Sequence, residues 1–185
     1  MPHEATAPTN APASGGTAFR TWTRRIAAPW PMNVVGVDLQ ASGIAVGLWP
    51  SMETDFIALP KYRKADTPQK RYKRLQVLAT ITQEYDVFTK GDVLYVERAY
   101  GANRNSQTVL MQLLGAFIGG LAEGGVRVEE INVSSWKATA LGNGRASKED
   151  VMAWASEQTG RDITTQDEAD ALAIAYAGYL RETNT

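Results

Sequence analysis

The chain contains no cysteine and only one histidine, His3. The first absence rules out disulfides, thiolate metal sites and cysteine nucleophiles. The second leaves acid–base or zinc chemistry without an imidazole beyond the extreme N-terminal stretch. No apolar run reaches the length of about 18 residues that a membrane span requires. Nor is there a large excess of either charge. The formal charge is −1 and the pI near 5.9, which excludes a simple polycation that coats nucleic acid. Any catalysis must rest on carboxylates, lysines, hydroxyls or bound cations.

What is present suffices for one ordinary globular domain: 185 residues, 44% hydrophobic and 21% charged. Residues 1–31 are rich in Ala, Pro, Gly and Thr without a sustained period, and read as a disordered tail. That tail lacks the continuous apolar segment of a secretory signal, so the expectation is a cytoplasmic protein. Its Arg-containing, acid-poor character leaves an organellar transit segment as the alternative.

Residues 32–182 carry the expected domain. MNVVGVDLQ (32–40), SGIAVGLWP and ETDFIALP read as three neighbouring strands. TPQKRYKRLQVLATITQEYDVF (67–88) reads as one helix, with Leu75, Leu78, Ala79 and Ile81 as its apolar stripe. KGDVLYVERAY is a strand ending at Glu97 after a break at Gly91. NSQTVLMQLLGAFIGGLAEGG is a helix closed by Gly124 and Gly125, and VRVEEINV is a fifth strand. SSWKATAL and SKEDVMAWASEQTG are shorter helices, the second opening on a capping box from Ser147 and Asp150. TTQDEADALAIAYAGYL supplies the last. The order β-β-β-α-β-α-β-α-α-α predicts an α/β fold, a five-stranded mixed sheet with helices on both faces.

Four acids stand out. Asp38 and Glu97 each end an apolar strand, and Asp167 and Asp170 open the last helix. Taken singly, each has an ordinary explanation: a turn aspartate, a solvated strand end, a helix cap, a residue favoured by the helix dipole. Taken together they suggest more. Positions three apart on a helix project in neighbouring directions, with Cβ atoms about 5–6 Å apart. Leu172, Ala173, Tyr176 and Leu180 form the expected core stripe on the other side. A crowded carboxylate quartet repels itself and raises its own pKa values unless cations neutralise it. Oxygen-only ligands suit Mg²⁺ or Mn²⁺, and two such ions about 3.5–4 Å apart can activate a water and stabilise the leaving oxygen of a phosphodiester.

VVGVD (34–38), LYVERAY (94–100), the VSSWK and GNGRASKEDV segments (133–151) and DEADALAIA (167–175) together resemble the RuvC family of Holliday-junction resolvases, in the ribonuclease-H-like superfamily. The resemblance spans residues 32–182, and DEADALAIA is its most specific piece. It implies that Asp38, Glu97, Asp167 and Asp170 are catalytic acids holding two Mg²⁺ ions, with Mn²⁺ able to substitute. It implies that Lys137 and Lys148 lie near the scissile phosphate, and that Tyr100 stacks on a base at the opened crossover. The alternatives for these three are solvated helix lysines and a half-buried strand-end tyrosine. One departure is plain: the family's usual Asp-Pro-Gly after the first strand is here Asp38-Leu39-Gln40, in a seemingly shorter loop.

KYRKADTPQKRYKR (61–74) holds seven Lys/Arg against one acid. It is either a solvated face or a track for a DNA arm. Lys70, Arg71, Lys73 and Arg74, with Arg98 and Arg104, are the candidate DNA contacts. On the helix from 103, Leu110, Leu114, Phe117 and Leu121 fall on one line, with Met111, Leu113 and Ile118 beside it and Gly115, Gly119 and Gly120 permitting close approach. That surplus suggests a second buried face and a homodimer. The implied function is a nuclease that resolves four-way DNA junctions by paired symmetric nicks, leaving 5′-phosphates. Two alternatives stay open: a nuclease on the same scaffold cutting flaps, forks or R-loops, and a non-catalytic protein that binds branched DNA.

Overall fold

The computed structural model describes residues 32–61, 63, 65–100 and 103–184; the tail expected over residues 1–31 lies outside them. Five strands form one sheet: β1 (Val34–Leu39), β2 (Gly43–Trp49), β3 (Thr54–Ala58), β4 (Val93–Glu97) and β5 (Arg127–Ile131). Their order is β3-β2-β1-β4-β5, with β1 to β3 an antiparallel meander and β4 and β5 running parallel to β1. The expected mixed sheet is present, and six helices flank it.

The period of two along each strand assigns its side chains to opposite faces. Val35, Val37 and Leu39 of β1, with Leu94 and Val96 of β4, face α1 (Pro68–Glu84), α2 (Asp86–Lys90) and α3 (Arg104–Leu121). Val34, Val93 and Tyr95 face α4 (Val133–Leu141), α5 (Lys148–Thr159) and α6 (Gln166–Thr183). Asp38 shares the parity of Val34, and Glu97 that of Val93 and Tyr95. Both acids are therefore sent to the α6 side.

α6 lies directly on the sheet. A Cβ at Gly36 would meet the Ala171 carbonyl oxygen at 2.2 Å, and one at Gly47 would meet the Leu172 backbone at 2.6 Å. Only glycine on the strands and mostly alanine on the helix allow so close an approach. The apolar surface of α6 is wider than the expected stripe. Eight of its residues, from Ala169 to Gly178, are buried, whereas Tyr176 and Leu180 are only half-buried. Packed against the sheet on one side and α4 and α5 on the other, the helix has little solvent face to give to charge.

The predicted helix over 67–88 is two. α1 stops at Tyr85, whose backbone adopts φ −88° and ψ 103°, and the chain restarts as α2. The break lets Tyr85 donate its hydroxyl hydrogen to Asp55 and directs Phe88 edge-on to Phe117, 5.2 Å between ring centres. Leu78 of the expected stripe is fully buried. α3 ends one turn early and tightens into a 3-10 turn before Gly125, which has φ 67°. The capping box at the start of α5 is formed as predicted, with Ser147 and Asp150 exchanging bonds of 2.8 and 3.1 Å. Among the described residues no helix is long and apolar enough to cross a membrane.

Candidate metal centre and nucleic-acid interface

β1 and β4 pair in parallel up to Val37 and Val96, so Asp38 and Glu97 lie side by side just beyond the last shared rung. Asp38 is only 8% exposed. α6 begins over this strand end. Its N-cap is Thr165, whose hydroxyl accepts from the Glu168 backbone N–H and donates to the Glu168 carboxylate at 2.9 Å. Glu168 is thus committed to the cap, while Asp167 and Asp170 are left to face the strand ends.

Burial is the main cause of the electrostatic strain. It pushes the Asp38 carboxyl up to about 7, and the negative charges of Glu97, Asp170 and Asp167 add to the rise. Burial likewise lifts Asp170 to about 6 and raises Glu97, whose neighbour Asp170 pushes in the same direction. Lys137 and Lys148 lower Asp170, so both lysines lie within electrostatic reach of the acids. Lys137 is nonetheless tethered, its ammonium donating to the Ala146 carbonyl at 2.7 Å.

Each of the four acids accepts a hydrogen bond from an uncharged N–H. The Gln40 amide nitrogen donates to both Asp38, at 2.7 Å, and Asp167, at 2.5 Å. The Gln166 amide donates to Asp170 at 2.7 Å, and the Trp136 indole N–H donates to Glu97 at 2.8 Å. Among the described residues no three acids close into a ready-made cation cage. The donor set still fits a hard divalent cation: oxygen throughout, and buried carboxylates that repel one another. The Gln166 amide oxygen beside it is buried without a hydrogen-bond partner. Bonds from neutral donors moderate such repulsion without cancelling it; a cation would do so more fully.

Trp136, Gln40 and Gln166 were not predicted as site residues. The signal for Trp136 was available, since a buried indole N–H needs an acceptor and VSSWK placed one near the acids. For Gln40 the signal was the departure from Asp-Pro-Gly. Gln166 gave none.

A cleft of about 770 Å³ opens beside the acids. Asp38, Gln40 and Glu97 line it, together with Arg71, Tyr100 and the polar Asn105 side of α3. Tyr100 is 80% exposed, not half-buried. Arg71 also belongs to a second, basic hollow of about 350 Å³ with Lys61, Arg63, Lys70 and Lys73, so the cations continue outward from the acids. Arg104 is exposed at the first position of α3, and Arg98 is exposed beside Glu130 at 3.3 Å. Arg74 departs from its expected place at the DNA surface. It is 5% exposed, and its guanidinium donates to the Pro60 carbonyl at 2.8 Å and to the Ala41 carbonyl. The helical period turns it inward, where it secures the strand ends beneath the cleft.

A sequence model of crossover junction endodeoxyribonuclease RuvC matches residues 35–177. The chain belongs to the RuvC family. A RuvC of Bordetella avium is 34% identical over 116 residues, covering 60% of this chain and 64% of that protein. A RuvC of Anaeromyxobacter sp. is 40% identical over 81 residues, 44% of each chain, so these alignments span less than two thirds of the relatives. A RuvC of Carboxydothermus hydrogenoformans is 25% identical over 81% of this chain and 97% of its own. The structure of Thermus thermophilus RuvC superposes with a TM-score of 0.62 at 20% identity, covering 83% of this chain and 98% of that one. The same protein in complex with a Holliday junction substrate gives 0.61, also at 20%, over 82% and 94%. The fold is the ribonuclease-H-like fold of RuvC.

Proposed function

We propose that this RuvC-family chain is a divalent-metal-dependent endonuclease that resolves four-way DNA junctions by paired nicks. The observation that carries the reading is the pair Asp38 and Glu97 lining a cleft that also carries Arg71 and Tyr100, with Asp167 and Asp170 within electrostatic reach of Asp38 and three of the four acids raised in pKa. Two Mg²⁺ ions, with Mn²⁺ as a substitute, would supply charge neutralisation at the scissile phosphate and lower the pKa of the attacking water. Asp38, the most deeply buried of the four acids, would hold the metal together with Glu97, Asp167 and Asp170. Trp136 and Lys137 restrain Glu97 and the loop before α5. Lys148, at the exposed start of α5, supplies positive charge toward the developing oxyanion.

Arg71, with Lys70 and Lys73, would hold backbone phosphates of a DNA arm, and Arg98 and Arg104 would extend the same track. Tyr100 offers its free ring to a base unstacked at the crossover, a contact worth about 1–3 kcal/mol. A second copy of the chain fits the symmetry of a four-way junction, and α3 has a face for it: Met111 is 52% exposed, and Gly115 and Gly119 open onto empty space. The dimer and the domain limits of 32–182 belong to this proposal. Cutting of flaps, forks or R-loops is the second reading, since the same acids beside the same cleft would serve another branched substrate.

The test is a substrate panel with Mg²⁺: four-way junction, flap, fork, linear duplex and RNA-containing duplex, with Asp167→Asn as control. Symmetric 5′-phosphate nicks confined to the junction, absent in the control, are expected. Equal cutting of the linear duplex overturns the selectivity, and cutting by Asp167→Asn overturns the site.

A further inference from the structure

We infer that Gln40 is an amide latch that occupies the space between Asp38 and Asp167 and must swing out before a divalent cation can bridge them, so that this residue weakens and gates metal loading. The inference rests on the reading of the carboxylate quartet as a cation site.

A single atom, Nε2, lies 2.7 Å from Asp38 Oδ2 and 2.5 Å from Asp167 Oδ1. Those oxygens come from residues 129 positions apart, one on a strand end and one on a helix start, and the Gln40 amide is the group that ties them. A nitrogen so placed between two carboxylate oxygens fills the space a shared cation would need, since Mg–O distances are about 2.0–2.1 Å. The amide's orientation follows from chemistry: two carboxylates demand a donor, and the amide oxygen turned toward them would be repelled.

The backbone at Gln40 is held while its side chain can move. Its N–H donates to the Gly43 carbonyl at 2.9 Å, closing the tight β1–β2 turn, whereas among the described residues the amide oxygen meets the Ser42 hydroxyl alone, at a long 3.4 Å. The residue is half-buried at the mouth of the cleft and has solvent to swing into. The Gln166 and Trp136 donors each engage one acid rather than bridging two, so they do not span a shared position. Gln40 is therefore a positioning residue that acts through the acids. It holds the strand end and the helix start together before metal arrives, and it competes with the metal afterwards.

The decisive comparison is Mn²⁺ binding to the full-length protein without DNA, followed by electron paramagnetic resonance of the free ion, for wild type, Gln40→Ala and Asp170→Asn. Removing two charge-assisted hydrogen bonds that metal must otherwise break should tighten Mn²⁺ binding in Gln40→Ala by about fivefold or more. The melting temperature without metal should fall while the Mn²⁺-induced increase grows. General damage to the site would weaken binding, so a gain separates gating from a merely structural role. Unchanged or weaker binding in Gln40→Ala, with wild type binding Mn²⁺ in an Asp170-dependent way, overturns the latch and leaves the metal site standing. Absence of Asp170-dependent binding in wild type overturns both. Should Gln40→Ala fail to fold, Gln40→Ser carries the same comparison.

Discussion

At the scale of single residues, the protein keeps acids where burial opposes their charge. Asp38 and Asp170 titrate in the folded chain at about 7 and about 6, against 3.8 for the unperturbed side chain. Below the ordinary value both folded and unfolded chains are protonated there. Between that value and about pH 7 the folded protein holds more protons than the unfolded one, so stability is lost as pH rises through the window. The metal-free protein should therefore melt at a higher temperature near pH 5 than near pH 8. Asp170→Asn removes one buried charge, so calorimetry should show a raised metal-free melting temperature at neutral pH, a shallower pH slope and no Mg²⁺-induced increase. A variant that melts below wild type and still responds fully to Mg²⁺ would contradict the assignment.

The acids were legible in the sequence because each interrupts an apolar pattern: VVGVD, VLYVE and DEADALAIA all read as core segments ending or beginning in charge. What could not be read was how they are restrained. The Gln40 bridge depends on the height of α6 above the β1–β2 turn, and a residue at position 40 carries no periodic signal of that height. Arg74 was misplaced for a related reason. A run of cations looks uniform in sequence, but the rotation of about 100° between consecutive helical residues separates Lys73, facing solvent, from Arg74, facing two carbonyl oxygens.

At the scale of elements, the site is set by how closely α6 lies on β1 and β2. The strand parity sends Asp38 and Glu97 to the α6 side, and the glycines at 36 and 47 let the helix descend until Asp167 reaches the Gln40 amide. The alternation of the strands was readable, and so was the helical period of 166–183. The tightness of their contact was not, because it needs both partners: the Ala-rich surface of α6 makes sense only against two strand glycines. Gly36→Ala would place a methyl 2.2 Å from the Ala171 carbonyl oxygen. Such overpacking costs about 1–3 kcal/mol or more. Urea denaturation should show a loss of at least that size, and Mg²⁺ should stabilise the variant less, because the helix start is lifted from the strand ends. A Gly36→Ala protein with wild-type stability would mean that α6 does not pack as described. The break at Tyr85 was likewise invisible locally, since it is fixed by a hydroxyl bond to Asp55 thirty residues earlier.

At the scale of the whole molecule, a chain of net charge −1 manages to present a basic track because its charges are segregated. The acids cluster at the strand ends, and the cations of α1 and the loop before it continue from the same cleft. Junction binding should weaken steeply with salt, each phosphate contact contributing roughly 0.9 to the log–log slope. Replacing Lys70, Arg71 and Lys73 together by alanine should lower that slope by roughly 2–3. Arg74→Ala should leave the slope unchanged and instead lower stability by about 1–3 kcal/mol, because buried carbonyls lose their donor. A slope that falls with Arg74 and not with the other three would reverse the assignment. The exposed face of α3 belongs to this scale as well. Sedimentation at micromolar concentration should find a dimer, and monomer alone, with and without junction DNA, would remove the paired-nick mechanism.

The arrangement stands or falls on whether cations are held where the two strand ends meet the start of the last helix. Anomalous scattering from crystals soaked in Mn²⁺ tests this directly. Peaks coordinated by Asp38 together with Glu97, Asp167 or Asp170, and lost in Asp170→Asn, are the predicted result. An ordered site with manganese bound elsewhere, or none at all, would contradict it.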